Sequence, residues 1–257
     1  MSERLDEKNK AVFDTADAVR FYVRASELQP AERTIFEIHR AQLADAALLD
    51  LGVGGGRTTV HLGSNVRRYV GVDYSPKMVA AAERRFPNLK FVEADARKLP
   101  FTNAEFDAVL FSYNGIDYVD ELGREAILRE VWRLLPTDGL FIFSTHNLLR
   151  SDFSLGRDEP SMNIWQKLHR WRLRRMNPGW QHWSQREATI INDGAFRFGI
   201  KTYYVRPSAQ LKALEQAGFG DVRFFCGASG MEAKPVYIDE LKSPWFYVSC
   251  RKAQVRR

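Results

Sequence analysis

The chain alternates short apolar runs with longer stretches in which apolar residues recur every three or four positions. Ala47-Leu48-Leu49-Asp50-Leu51 is the first run, and Arg68 to Asp73, Leu89 to Asp95, Phe106 to Phe111 and Gly139 to Ser144 repeat its form. Runs of this kind predict strands buried on both faces, as in a parallel sheet. Between them, Ile35, Phe36, Ile38 and Leu43 predict a helix over 28–43, with Pro30 in its first turn. Lys77 to Phe86 reads as a helix that Ser75 caps and Pro76 opens, and Arg124 to Leu135 as one that ends before Pro136 and Gly139. This alternation predicts an α/β fold: a doubly wound, seven-stranded, mostly parallel sheet with right-handed crossovers.

The tail breaks the rhythm. Ser208 to Ala217 reads as a helix, and Val222 to Cys226 and Trp245 to Cys250 as two further strands. Ahead of that helix lies a stretch that a minimal sheet does not need. In it Thr189-Ile190-Ile191 and Phe196-Arg197-Phe198 flank Asn192-Asp193-Gly194, which predicts a hairpin. The expected organisation is an N-terminal helical cap segment at 1–46, a core at 47–150, an inserted α+β cap at 151–206, and a return to the core at 207–257 with a terminal antiparallel strand pair.

Composition adds exclusions. A chain of 257 residues with 45% hydrophobic and 27% charged residues is of ordinary soluble type. No apolar run reaches the ~20 residues of a membrane span. Met1 to Lys10 has no apolar core of the kind a secretory signal needs, so a cytoplasmic setting is expected. Cys226 and Cys250 are expected to be reduced thiols, and no metal is expected, since neither cysteine has ligand spacing and the histidines do not cluster.

The first strand runs into Asp50-Leu51-Gly52-Val53-Gly54-Gly55-Gly56, where glycines let the backbone approach a ligand and a helix start offers free N–H groups. Asp73 ends the second strand, where a carboxylate can accept both hydroxyls of a ribose. A dinucleotide fingerprint would need glycine where Arg57 stands, so the spacing is G-x-G-x-G instead.

These segments resemble the class I S-adenosylmethionine-dependent methyltransferases, whose fold is Rossmann-like. Asp50 to Gly56 looks like the family's first motif, with Asp50, Gly52, Gly54 and Gly56 about the cofactor. Gly71 to Met78 looks like the second, with Asp73 on the ribose and Tyr74 and Met78 against the adenine. Glu93-Ala94-Asp95-Ala96 looks like the third: Asp95 would accept from the adenine amino group and the Ala96 N–H would meet a ring nitrogen. Taken alone, Asp95 could instead cap the turn that follows its strand. Ser112, after the fourth strand, joins the cofactor set. Trp132 to Leu140 is similar to the segment before the family's fifth strand, and the final strand pair to its antiparallel edge. The resemblance implies S-adenosylmethionine as methyl donor and S-adenosylhomocysteine as product.

Catalysis of methyl transfer rests largely on holding an acceptor against the methyl in a dry pocket. Ser112-Tyr113-Asn114-Gly115 is not the Asn/Asp-Pro-Pro-Tyr/Phe of base methylation, which argues for a small-molecule acceptor. Asn114, Asp117 and Tyr118 are candidates to orient it, or they cap the next helix. His146 could take a proton from a hydroxyl as the methyl arrives, or bond a turn carbonyl. Tyr22, Arg24, Tyr203, Tyr204 and Arg172 are the candidate acceptor contacts. The acceptor is read as donating oxygen or nitrogen, with an anionic or sugar-like character. RNA methylation and a non-catalytic cofactor-binding subunit are the alternatives.

Net charge is +6, and no acidic residue occurs from Pro160 to Arg186. Within that stretch Trp165, Leu168 and Trp171 or Arg172 fall on one helical face, with Lys167, Arg170, Arg174 and Arg175 around it. Three readings stand open: a solvated basic face, a lid whose arginines bind a carboxylate or phosphate, and an interfacial helix at 164–175 that meets anionic lipid.

Overall fold

The computed structural model describes residues 5–150 and 161–254. Five parallel strands form its centre in the order β3 (Lys90–Glu93), β2 (Arg68–Asp73), β1 (Ala47–Leu51), β4 (Ala108–Phe111), β5 (Leu140–Asn147). Next to β5 runs β10 (Trp245–Lys252), antiparallel, and against it β8 (Phe219–Cys226). This is the expected seven-stranded arrangement. Three short strands, β6 (Ala188–Ile191), β7 (Thr202–Val205) and β9 (Glu232–Ala233), bring the sheet to ten.

Alternation along the strands divides the core between the two faces. Leu49, Leu51, Val109, Phe111, Phe141 and Phe143 face α7 (Glu121–Leu134) and α10 (Pro207–Gln216), whose Ile127, Leu128, Val131 and Leu214 complete that cluster. Leu48, Ala108, Leu110, Leu140 and Ile142 face the other way, onto Ala31 and Ile35 of α3 (Pro30–Ile38) and Val79 and Ala82 of α6 (Pro76–Arg85). Ser75 caps α6 by accepting from the Met78 N–H, as its sequence predicts.

The helix expected over 28–43 is two helices, α3 and α4 (Arg40–Ala44), because His39 leaves helical geometry at φ −102°, ψ 16°. The expected hairpin also differs. Its second strand is Thr202–Val205 rather than 196–198. Asn192 and Asp193 accept from Gly194 N and Ala195 N, and Phe196, Arg197 and Phe198 then take positive φ of 46°, 57° and 70°. Side-chain-to-backbone bonding of this sort competes with the ladder, and a left-handed turn cannot pair as a strand.

Past the end of β4, β7 pairs with His146 and Asn147 of β5. The inserted segment also contains α8 (Ile164–Met176), opened by a capping box between Asn163 and Gln166. A small cluster of Leu148, Leu173, Trp183, Ile191 and Tyr204 seats it on the body. At the amino end, α1 (Leu5–Phe13) and α2 (Ala16–Arg24) lie over the carboxyl ends of the parallel strands, joined at Thr15, whose hydroxyl caps α2. Asn9 pins them: its amide donates to Tyr118 O at 3.0 Å and Lys201 O at 2.8 Å, and accepts from Lys201 N at 3.1 Å.

Candidate functional site

Strand order reverses between β1 and β4, and a cleft opens outside their carboxyl ends, where open α/β sheets bind ligands. Including its mouth it measures about 1050 Å³, and the glycine loop, Asp73, Tyr74, Met78, Asp95, Ala96 and Ser112 all line it. Asp50 sits beneath the loop, wholly buried, and accepts from Thr58 Oγ1 at 2.5 Å and Tyr69 Oη at 2.7 Å. Burial pushes its carboxyl up to about 6 against those two bonds. It ties the loop down from below.

The loop meets Asp73 directly: Gly54 N donates to Oδ2 at 2.9 Å, and Ser75 N donates to Oδ1 at 2.9 Å. Gly54 has φ +54°, a conformation costly to other residues. Asp73 lines the cleft, and a carboxylate has capacity for acceptance beyond these two N–H groups, the requirement for a vicinal diol. Burial raises the Asp73 carboxyl to about 6, opposed by the N–H groups of Ser75, Gly54 and Tyr74. Beside it Met78 is buried, and the Tyr74 hydroxyl is buried with no hydrogen-bond partner.

Asp95 caps its turn as well as lining the cleft. Its Oδ1 accepts Arg97 N at 2.9 Å, and the Arg97 side chain clasps both oxygens, Nη2 to Oδ2 at 2.5 Å. Burial would raise this carboxyl, but the Arg97 bonds outweigh it and hold it below the usual carboxylate range. Arg97 also pairs with Asp6 of α1 at 2.6 Å, so the same guanidinium joins the third motif to the amino-terminal helices.

Those helices make the roof. A Cβ on Gly55 would stand 2.5 Å from Val23 Cα, so only glycine lets α2 lie on the loop. Arg85 Nη1 donates to Gly55 O at 2.9 Å and Val23 O at 3.2 Å, which clamps the two together. Tyr22 faces the cleft and stacks on Phe196, centroids 6.4 Å apart, with Phe13 nearby at 5.9 Å. Burial drives the Tyr22 and Tyr118 hydroxyls well above the ordinary phenol range, so neither ionises near neutrality.

At the ends of β4 and β5 three side chains and one backbone N–H converge on Asp117. Its carboxylate accepts from Arg124, from Thr145 Oγ1 at 2.6 Å, and from His146 N and Nδ1, both at 2.7 Å. An Nδ1–H bonded to a carboxylate leaves Nε2 as the acceptor nitrogen, and Asn114 Nδ2 lies 3.2 Å from it. Asn114 Oδ1 is buried without a partner. Tyr113 and Asn114 hold positive φ of 56° and 60°, strain of the sort that collects at functional sites. Tyr113, Gly115 and Tyr118 form the cleft wall, and His146 stands behind it with 18% of its side chain exposed.

The remaining candidates scatter. Tyr204 stacks near His146 at 4.7 Å, whereas Tyr203 points into the core beneath Arg124. Arg24 is exposed at the end of α2 and does not line the cleft. Arg172 lies over the Phe198 ring at 4.2 Å, also off the cleft. Sequence reasoning passed over Glu32, Arg57 and Arg97. Arg57 lines the cleft, donates to Ser112 Oγ at 2.8 Å and lies over the Tyr113 ring at 4.8 Å. Its only signal in the sequence was the break it makes in a dinucleotide fingerprint.

Residues 48–139 match the family described as Methyltransferase domain. An uncharacterized methyltransferase of Bacillus subtilis is 33% identical over 108 residues, 40% of this chain and 42% of the relative. A demethylmenaquinone methyltransferase of Beutenbergia cavernae is 42% identical over 66 residues, 26% of this chain and 28% of the relative. The chain thus spans less than half the length of these relatives. The fold matches the Burkholderia thailandensis 1,6-didemethyltoxoflavin-N1-methyltransferase, solved with its acceptor and S-adenosylhomocysteine, at a TM-score of 0.59 and 16% identity, covering 97% of this chain and 88% of that one. Residues 48–139 thus carry a match to a methyltransferase domain, on the fold of solved S-adenosylmethionine-dependent methyltransferases. The cleft fits that family's cofactor: Asp73 has lone pairs for a ribose diol, and the orphaned Tyr74 hydroxyl awaits a polar partner.

Proposed function

We propose that this protein transfers a methyl group from S-adenosylmethionine to an oxygen or nitrogen of a small-molecule acceptor, releasing S-adenosylhomocysteine. The observation that carries this reading is the Asp73 carboxylate, fixed by Gly54 N and Ser75 N at the mouth of the glycine loop. When bound, the cofactor supplies an electrophilic methyl on a sulfonium. Asp73 would hold its ribose, Tyr74 and Met78 would flank the adenine, and the Ala96 N–H would meet the ring. Asp95 is already clasped by Arg97, so its contact to an adenine amino group would be shared with that guanidinium. Tyr22, Phe13 and Phe196 keep water from the reacting atoms.

For a hydroxyl acceptor, His146 would serve as base once the Tyr113–Tyr118 wall that separates it from the cleft admits the acceptor. Asp117 fixes the Nδ1–H tautomer, so Nε2 receives the proton. Once Nε2 is protonated, rotation of the Asn114 amide turns its unpartnered Oδ1 toward the new N–H. An amine acceptor would need only the positioning. The Burkholderia thailandensis and Beutenbergia cavernae proteins are named for small-molecule acceptors, which supports the same class here. Arg172 plays no part in this reading.

Calorimetric titration with S-adenosylhomocysteine tests the central claim. Wild-type protein should bind in the micromolar range and Asp73→Ala should not. Folded wild-type protein that fails to bind would overturn it. A panel of hydroxyl and amine acceptors, followed by release of S-adenosylhomocysteine, then tests the transfer.

A further inference from the structure

Helix α8 presents an apolar stripe on the side that faces away from the protein. Ile164, Trp165, Leu168 and Trp171 are 71%, 74%, 51% and 54% exposed. At about 100° per residue these four fall within about 120° of arc, and Leu173, the one buried residue of the helix, projects from the opposite side. An ordinary surface helix buries its apolar stripe. Here the seat of the helix is Leu173 in its small cluster, and the stripe is left outward.

The surroundings of the stripe name its occupant. Lys167, Arg170 and Arg174 border one side; Arg175 and Arg172 fall within the same arc, Arg175 5.5 Å from the Trp171 ring and Arg172 over the Phe198 ring. No acidic residue occurs between Pro160 and Arg186. A second copy docked on this face would set cation against cation, because a twofold interface repeats the same patch. An anionic bilayer surface matches both features. Indole and aliphatic groups enter the boundary between headgroups and acyl chains, while long cationic side chains reach the phosphates. Among the described residues no helix is long and apolar enough to cross a membrane, so the contact is peripheral.

We propose that α8 is an interfacial helix that seats this protein on anionic membrane surfaces through Ile164, Trp165, Leu168 and Trp171. The seat is coupled to the cleft. Leu173 packs in the cluster that contains Tyr204, whose ring lies 4.7 Å from His146. On the turn beneath α8, Phe198 contacts His169 and Arg172 while Phe196 contacts Phe13 and Tyr22 of the roof. A protein seated this way holds the inserted segment, and with it the roof, against the lipid.

Flotation with phosphatidylglycerol–phosphatidylcholine vesicles tests this, with tryptophan emission recorded in parallel. The full chain should float with anionic vesicles and stay behind with pure phosphatidylcholine, and its emission should shift to the blue. Raising salt from about 0.1 to about 1 M shortens the screening length from about 10 to about 3 Å and should weaken binding. The Trp165→Ser, Leu168→Ser, Trp171→Ser triple variant should lose about tenfold or more in partitioning, since it removes buried apolar area. Its thermal unfolding and its affinity for S-adenosylhomocysteine should not change, since none of these side chains touches the cleft. Folded wild-type protein that ignores anionic vesicles would overturn the proposal. So would equal binding by the triple variant, or sedimentation showing that the stripe joins two copies without lipid.

Discussion

The guanidinium of Arg57 lies fork to fork on the carboxylate of Glu32, Nη1 to Oε2 at 2.6 Å and Nη2 to Oε1 at 2.5 Å. The pair is buried beside the glycine loop, with Ser112 Oγ and the Tyr247 hydroxyl also donating to Glu32 Oε1 and Gln29 N to Oε2. Burial would raise the Glu32 carboxyl, but Arg57 outweighs it and holds the group below its ordinary range. This pair ties the end of the glycine loop to α3.

Breaking it from one side should be costly. Arg57→Ala leaves a buried, uncompensated carboxylate, and a loss of about 3–5 kcal/mol is expected in urea unfolding. The double variant Glu32→Leu, Arg57→Met should recover much of that loss, because neither charge then remains unpaired. A double variant no more stable than Arg57→Ala would mean the pair is not the source of the effect.

Cofactor affinity should depend on pH through Asp73. The carboxylate must be ionised to accept two hydroxyls, and burial has raised it to about 6. Affinity for S-adenosylhomocysteine should be level above pH ~7 and about tenfold weaker near pH ~5. The sign for stability is opposite. A raised folded-state value means the folded chain holds the proton more tightly, so the Asp73 and Asp50 shifts favour folding as pH falls from neutrality toward about 4. Circular dichroism recorded alongside the titrations separates lost binding from lost fold.

His146→Asn should leave S-adenosylhomocysteine affinity within about twofold and, for a hydroxyl acceptor, lower kcat by about 10²–10⁴. Asp117→Asn should resemble it, since an amide no longer fixes the Nδ1–H tautomer. Turnover by His146→Asn equal to wild type on a hydroxyl acceptor would remove the base from the scheme.

Gly55→Ala sets a Cβ against the Val23 backbone, and α2 must lift to admit it. Proteolysis between residues 5 and 24 should rise by about tenfold or more as the closed form loses population. The parallel sheet, remote from that contact, should melt within a few degrees of wild type.

The sheet and the glycine loop were legible because buried parallel strands read as apolar runs and the loop chemistry is local. Ser75, Asp73 and Asp50 stand where their spacing places them. Other features arise from contacts remote in sequence and leave little local trace. Glu32 meets Arg57 across 25 positions, and Asn9 meets Lys201 across 192. The Asn192-Asp193-Gly194 turn was visible, but the left-handed path through Phe198 that follows it, packed on Phe13 and His169, was not. His39 ends α3 without glycine or proline, so the break carries no local signature.

The glycine loop shares its cleft with helices that are themselves held by Asn9, by Asp6 on Arg97 and by Asp14 on Ser75. A ligand lodged under Tyr22 would leave past these tethers, and Asn9→Ala is expected to shorten its residence time in stopped-flow release of S-adenosylhomocysteine. With the product bound as proposed, its discharge is expected to keep the clock of the amino-terminal helices, and a tighter clasp at Asn9 should slow turnover without touching the chemical step.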